Sequence, residues 1–130
     1  PTRDDSSPMS AFTYPPALPI APLSAPPSAA VTVPGSKSIT NRALVLAALA
    51  VNEKPKLHGV LQSEDTEVML DCLRHLGFTV DVDWGRHTAR VNSDGPDVIP
   101  AASADLYVAN SGTTIRFLAA MVSLGRGKYR

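Results

Sequence analysis

The chain has 130 residues, with twelve basic and twelve acidic side chains and a formal net charge of zero. That length allows one domain or part of a larger one, and an apolar fraction of 44% can bury a core. Balanced charge argues against a general nucleic-acid or acidic-membrane binder, which needs a basic excess. Any functional positive charge must therefore be local.

Residues 1–28 hold most of the twelve prolines, mixed with alanine and serine, as in Pro15-Pro16, Pro19, Pro22 and Pro26-Pro27. Proline lacks the backbone donor that helix and sheet need. The sequence predicts a disordered or polyproline-like extension here. The folded part is expected over residues 29–130. Val31-Thr32-Val33 reads as a short strand, broken by Pro34-Gly35. A helix from about Ile39 to Val51 follows, with Asn52 and Pro55 closing it. Its polar groups sit in the first turn and the rest is apolar all round, which predicts burial on most sides.

Lys56 to Leu61 reads as a second strand, and Ser63 as the N-cap of a second helix. Glu64, Asp65 and Glu67 open that helix and Arg74 and His75 end it, the charge order a helix dipole favours. Val68, Met69, Cys72, Leu73 and Leu76 recur at helical spacing, and Gly77 suits the position after the C-cap. Phe78 to Asp83 alternates as a half-buried strand. Trp84-Gly85-Arg86 turns the chain into a partner strand ending at Asn92. After a turn at Asp94-Gly95-Pro96, a strand is expected at Leu106-Tyr107-Val108. A turn at Asn110-Ser111-Gly112 then leads into a helix from Thr113 to Leu124.

The expected fold is α/β (α+β), in the order β-α-β-α-β-β and then β-α again. The two strand–turn–helix segments look alike: each joins a β-run through a Gly/Ser turn to an apolar helix with an arginine near its start, Arg42 and Arg116. That predicts one unit plus the start of a second.

Lone Cys72 has no partner for a disulfide or a metal site and reads as a buried apolar group. His58, His75 and His87 are scattered, so no metal site is expected. The apolar run Ala43–Val51 reaches about half of the roughly 20 residues needed to cross a membrane. With no signal-peptide pattern visible, a cytoplasmic protein is expected.

The functional signal is the start of the first helix. A helix start presents unpaired N–H groups and the positive end of the dipole. Lys37 adds a mobile charge, Ser38 a short donor, and Arg42, one turn beyond Ser38, a second cation. Two cations at that end oppose the dipole by about 0.3–1 kcal/mol each, a cost that a bound anion removes. The reading is a phosphate-type site. It is preferred to the plainer one, in which a serine or threonine caps the helix and Arg42 is a solvated surface group. A P-loop fails on spacing, since Ser36 separates Gly35 from Lys37. In the second segment Gly112 is expected to offer its N–H at a helix start, with Arg116 one turn on.

Pro34-Gly35-Ser36-Lys37-Ser38-x-Thr40-Asn41-Arg42-Ala43-Leu44 and Asn110-Ser111-Gly112-Thr113-Thr114-Ile115-Arg116 resemble the two N-terminal signatures of the 5-enolpyruvylshikimate-3-phosphate synthases (3-phosphoshikimate 1-carboxyvinyltransferases). Glu64-Asp65-Thr66-x-x-Met69-Leu70 with Leu76-Gly77 is similar too. Ser111 is a mild departure, since the family usually has alanine there. The resemblance runs from about residue 29 to the end. It implies transfer of the enolpyruvyl group of phosphoenolpyruvate to the 5-hydroxyl of shikimate 3-phosphate, releasing phosphate, with no metal or other cofactor.

It further implies two lobes of three β-α-β-α-β-β units each, with Pro34 to Lys37 near the crossing between them, and a monomer when full length. Lys37 would contact both substrates, Ser38 and Arg42 the shikimate 3-phosphate, and the Gly112 N–H the phosphoenolpyruvate. Asn110, Thr113 and Arg116 would surround them. Glycine at position 112 goes with glyphosate sensitivity in the family. The family's acid/base carboxylates lie downstream of Arg130, so these 130 residues alone are expected to be inactive. The rival readings are the related transfer to UDP-N-acetylglucosamine, whose first motif has Ala-Lys-Asn in place of Ser36-Lys37-Ser38, and a non-catalytic phosphate-binding domain.

Overall fold

A computed structural model describes residues 15–50, 53–93 and 95–130. The chain divides into two units, residues 1–31 and 32–130. In the first, residues 15–31 contain neither helix nor strand and are exposed. The part of the Pro-rich head before Pro15 lies outside the described residues, as do Val51, Asn52 and Asp94.

The second unit is mixed helix and strand. Its elements are α1 (Lys37–Leu49), β1 (Lys56–His58), α2 (Glu64–His75), β2 (Thr79–Asp83), β3 (Thr88–Asn92), β4 (Ser103–Ala104), α3 (Gly112–Val122) and β5 (Lys128–Tyr129). The strands β1, β3 and β2 form an antiparallel sheet in that order, and β4 pairs with β5 in parallel.

Each helix begins on a serine. Ser36, Ser63 and Ser111 stand in extended backbone, and each side chain accepts from an N–H three residues on, at 3.5, 3.3 and 3.3 Å. These bonds satisfy one orphan donor per helix. For α1 the start is therefore Lys37, two residues earlier than expected, because Ser36 rather than a later residue takes the cap. Its C-cap is Ala50, whose N–H bonds to the Ala47 carbonyl.

The end of α2 is a Schellman turn. Gly77 N–H donates to Arg74 O at 2.9 Å and Phe78 N–H to Leu73 O at 3.1 Å, the two bonds that define it. Gly77 has φ 87°, and an added Cβ would lie 2.9 Å from the Pro100 Cβ. Gly77→Ala is expected to destabilise the fold by roughly 1–3 kcal/mol through the left-handed backbone and that contact. Urea unfolding checks this, and a loss below about 0.5 kcal/mol would show that the turn tolerates a side chain.

The core lies where α1, α2 and α3 meet and where α1 and α2 cover the sheet. Leu44, Met69, Leu73, Leu76 and Val91 are fully buried there, with Leu118 and Met121 from α3 at 2% exposure. The hairpin register sets Val80 opposite Val91 and Val82 opposite Ala89, so one face of the hairpin feeds the core. Trp84, at the hairpin turn, packs against the core's edge. Cys72 is buried, its thiol donating to Tyr107 O at 3.5 Å. Burial, with Asp71 adding to it, pushes the thiol up to about 11. It is a packing group.

Further expectations differ, among them β1, which ends at His58 rather than Leu61. Val31-Thr32-Val33 belongs to no sheet, and Val31 and Val33 are exposed. β-Propensity alone does not make a strand without a ladder partner, and among the described residues none pairs there. The strand expected at Leu106–Val108 forms instead at β4. Half-buried Ala104, Leu106 and Val108 alternate with exposed Ser103, Asp105 and Tyr107, but the ladder is set by residues 128–130, with Leu106 N–H reaching Arg130 O at 2.6 Å. Finally, α1 is not buried all round. Ile39 and Leu46, on one stripe at seven-residue spacing, are 64% and 68% exposed.

Candidate functional site

The three helix starts are tied together by one polar node. Asn41, in the second turn of α1, is fully buried. Its amide donates to Thr114 Oγ1 of α3 at 3.4 Å and to the Asp65 backbone carbonyl of α2 at 3.5 Å. The Thr114 hydroxyl also reaches Asp65 O at 3.4 Å and the N-cap Ser111 Oγ at 2.7 Å. The Asp65 carbonyl thus takes one bond from each neighbouring helix. A second clasp holds the chain beside α1: Leu61 N–H donates to Thr40 Oγ1 at 3.1 Å. Buried polar groups of this kind fix helices in register because their partners are hard to replace.

Gly35, just before the cap, lies against the loop after β1. A Cβ there would run into the Gly59 carbonyl oxygen, so the close approach requires glycine.

The charges sit on this frame. Lys37 is the first residue of α1, with its side chain 49% exposed, and its ammonium lies 3.1 Å from Asp65 Oδ2. Ser38 follows, half-buried. Exposed Arg42 lies over the Phe117 ring of α3, 5.8 Å from its centroid, a cation–π contact worth about 0.5–1 kcal/mol at an exposed site. Arg116 is exposed in the second turn of α3, and among the described residues neither it nor Arg42 has a carboxylate partner.

Gly112 is the first residue of α3 and exposed, with open space where a Cβ would stand. Its N–H is not free as expected: it donates to Asn110 O at 3.1 Å across the tight turn. That turn follows Ala109, which has φ 46°, a backbone region uncommon for alanine. Thr113 is half-buried beside it.

The neighbouring starts of α1 and α3, with Lys37 and two arginines that lack a carboxylate partner among the described residues, are suited to binding an oxyanion, whereas the start of α2 carries Glu64, Asp65 and Glu67. Among the described residues no group of three or more His, Cys, Asp or Glu could hold a metal ion. No helix there is long and apolar enough to cross a membrane.

The family model for EPSP synthase (3-phosphoshikimate 1-carboxyvinyltransferase) matches residues 23–130. The chain belongs to the EPSP synthase family. It is 47% identical over 109 residues to the 3-phosphoshikimate 1-carboxyvinyltransferase of Nostoc punctiforme, covering 83% of this chain and 25% of that protein. The enzyme of that name from Opitutus terrae is 46% identical over 114 residues, 87% of this chain and 26% of the relative. That from Ralstonia pickettii is 46% identical over 99 residues. The chain thus spans about a quarter of the length of these EPSP synthases.

Both quoted EPSP synthase signatures fall on helix starts. Lys37, Ser38 and Arg42 lie on α1; Gly112, Thr113 and Arg116 lie on α3, with Asn110 in the turn before it. The Asn41–Thr114 bond brings the two starts together. Sequence reasoning assigned no role at the site to Asn41 or Thr114, and gave the Asp65 carboxylate only its place in the acidic first turn of α2. A signal existed for two of them. Asn41 is in phase with Leu44 and Ala48, and Thr114 with Leu118 and Met121, so each is a polar residue on a buried stripe. Asn41→Ala is expected to cost roughly 1–3 kcal/mol, since a fully buried side chain and its bonds to α2 and α3 are lost. Thermal unfolding tests this; an unchanged midpoint would remove the node from the account.

Proposed function

We propose that this chain is the N-terminal part of an enzyme that transfers the enolpyruvyl group of phosphoenolpyruvate to the 5-hydroxyl of shikimate 3-phosphate. The enolpyruvyl C–O bond to phosphate breaks, a C–O bond to the 5-oxygen of shikimate 3-phosphate forms, and the hydroxyl proton leaves with inorganic phosphate. This is a transferase step of the shikimate pathway to chorismate and aromatic amino acids, in a monomeric cytoplasmic protein that uses no metal or other cofactor.

The observation that carries this reading is the joining of two signature-bearing helix starts through Asn41 and Thr114, in a chain matched to the family over residues 23–130. Lys37 contacts both substrates. Ser38 and Arg42 hold the 3-phosphate of shikimate 3-phosphate. The Gly112 N–H turns from Asn110 O to phosphoenolpyruvate, and Asn110, Thr113 and Arg116 complete that wall. Helix dipoles and the cations together offset the charge of two phosphorylated substrates. The described elements from α1 to β3 run α-β-α-β-β, one strand short of a β-α-β-α-β-β unit, and we read α3 as the start of a second unit because, like α1, it carries an arginine in its second turn beside an apolar stripe.

The test is phosphate release by the full-length protein with both substrates, against UDP-N-acetylglucosamine in place of shikimate 3-phosphate. Release only with shikimate 3-phosphate is expected. Release only with the nucleotide sugar, or binding without turnover, would replace this reading with one of its rivals. Residues 1–130 alone are expected to release none.

Gly112→Ala tests the phosphoenolpyruvate wall. The open space at this position lets the variant fold normally, while the added methyl enters the site. Glyphosate is expected to inhibit the full-length variant at least about tenfold less well, a loss of roughly 1.4 kcal/mol. Unchanged inhibition would move Gly112 out of the site.

A further inference from the structure

We propose that Asp65 is a positioning residue acting through Lys37: its carboxylate holds the ammonium beside the anion site and yields it to an incoming phosphate or carboxylate oxygen. The inference rests on the reading of Lys37 as a substrate-anion ligand and assigns the group that sets its affinity.

The two partners are unequally held. Asp65 is in the first turn of α2, where a carboxylate is stabilised by the dipole. Its backbone carbonyl is bonded to both Asn41 and Thr114, and its side chain is only 23% exposed. Lys37, by contrast, is half-exposed on a flexible stem, at the end of α1 where a cation is unfavourable. The carboxylate is the fixed anchor and the ammonium the moving part. The pair lies across two helices, so Asp65 draws Lys37 toward α2 and toward the node joining α2 to α3. With its lysine half-exposed, the pair adds little to stability. Its effect falls on binding, because an anion reaching Lys37 competes with the carboxylate and is repelled by it.

The test uses the full-length protein, with shikimate 3-phosphate and inorganic phosphate as probes in calorimetric titrations at low and high salt. Asp65→Asn keeps the shape and removes the charge. It is expected to tighten binding of both probes about three- to tenfold at low salt, with most of the gain lost near 0.5 M salt by screening. Asp65→Glu keeps a carboxylate within reach of Lys37 and is expected to bind as the parent does. The gain from Asp65→Asn is expected to vanish when Lys37→Met is also present.

Equal or weaker binding by Asp65→Asn at low salt would overturn the proposal. So would a gain that persists beside Lys37→Met, since the carboxylate would then act on the anion directly. If the parent binds neither probe, the reading of Lys37 as an anion ligand fails, and the role of Asp65 with it. If the parent binds and Asp65→Asn matches it, only the role of Asp65 fails. A fall in melting temperature shared by Asp65→Asn and Asp65→Glu, with unchanged affinity, would make the pair structural.

Discussion

Lys37→Met in the full-length protein is expected to lower kcat/KM for enolpyruvyl transfer by at least about a thousandfold, the scale on which removing a charge-stabilising group acts. Lys37 stands at the first position of α1, and its ammonium reaches Asp65 in the first turn of α2. Arg42 cannot replace it, because it lies a turn further on over Phe117. Stability is expected to change by less than about 1 kcal/mol, the range for an exposed ion pair. Steady-state kinetics and thermal unfolding on the same preparation check both parts. A variant keeping more than a tenth of the activity would take Lys37 out of the chemistry, whatever its melting temperature.

Leu44→Ala is expected to have the largest effect on folding, roughly 2–5 kcal/mol, the usual range for removing a buried leucine side chain. Leu44 is fully buried on the face of α1 that also carries Asn41 and Ala48. That face packs on α2 and α3, so a cavity there loosens the junction that holds the candidate site at the starts of α1 and α3. Denaturant unfolding should show the midpoint falling with little change in slope. A loss under about 1 kcal/mol would mean that the neighbouring side chains close the cavity, and that this junction is not the centre of the core.

The helices and the hairpin were legible because their signals are local. Ser63, the acidic first turn and Gly77 fixed α2 at both ends. Alternation over residues 79–83 fixed β2. The start of α1 was missed by two residues because Ser36, Ser38 and Thr40 all compete for a cap, and the bond from Ile39 N–H to Ser36 decides among them. Strands fared worse where the ladder is long-range. Nothing near Ser103 announces its partner at Lys128, and Val31–Val33 has β-type residues and no ladder among the described residues.

The candidate site was legible in its charges and not in its frame. Lys37, Ser38, Arg42 and Gly112 lie on the two expected helix starts. The Asn41–Thr114 bond that joins those starts links residues 73 positions apart, which a motif read along the chain does not display. Nor does it show that the Gly112 N–H is held by Asn110 O.

The central claim is that the starts of α1 and α3 form one anion site. The most direct measurement is a titration of 15N-labelled full-length protein with shikimate 3-phosphate and then phosphoenolpyruvate, following backbone amides by NMR. The account predicts saturable shifts at Lys37 and Ser38 with the first substrate, and at Gly112 with the second. Full saturation of both substrates with these amides unmoved would contradict it.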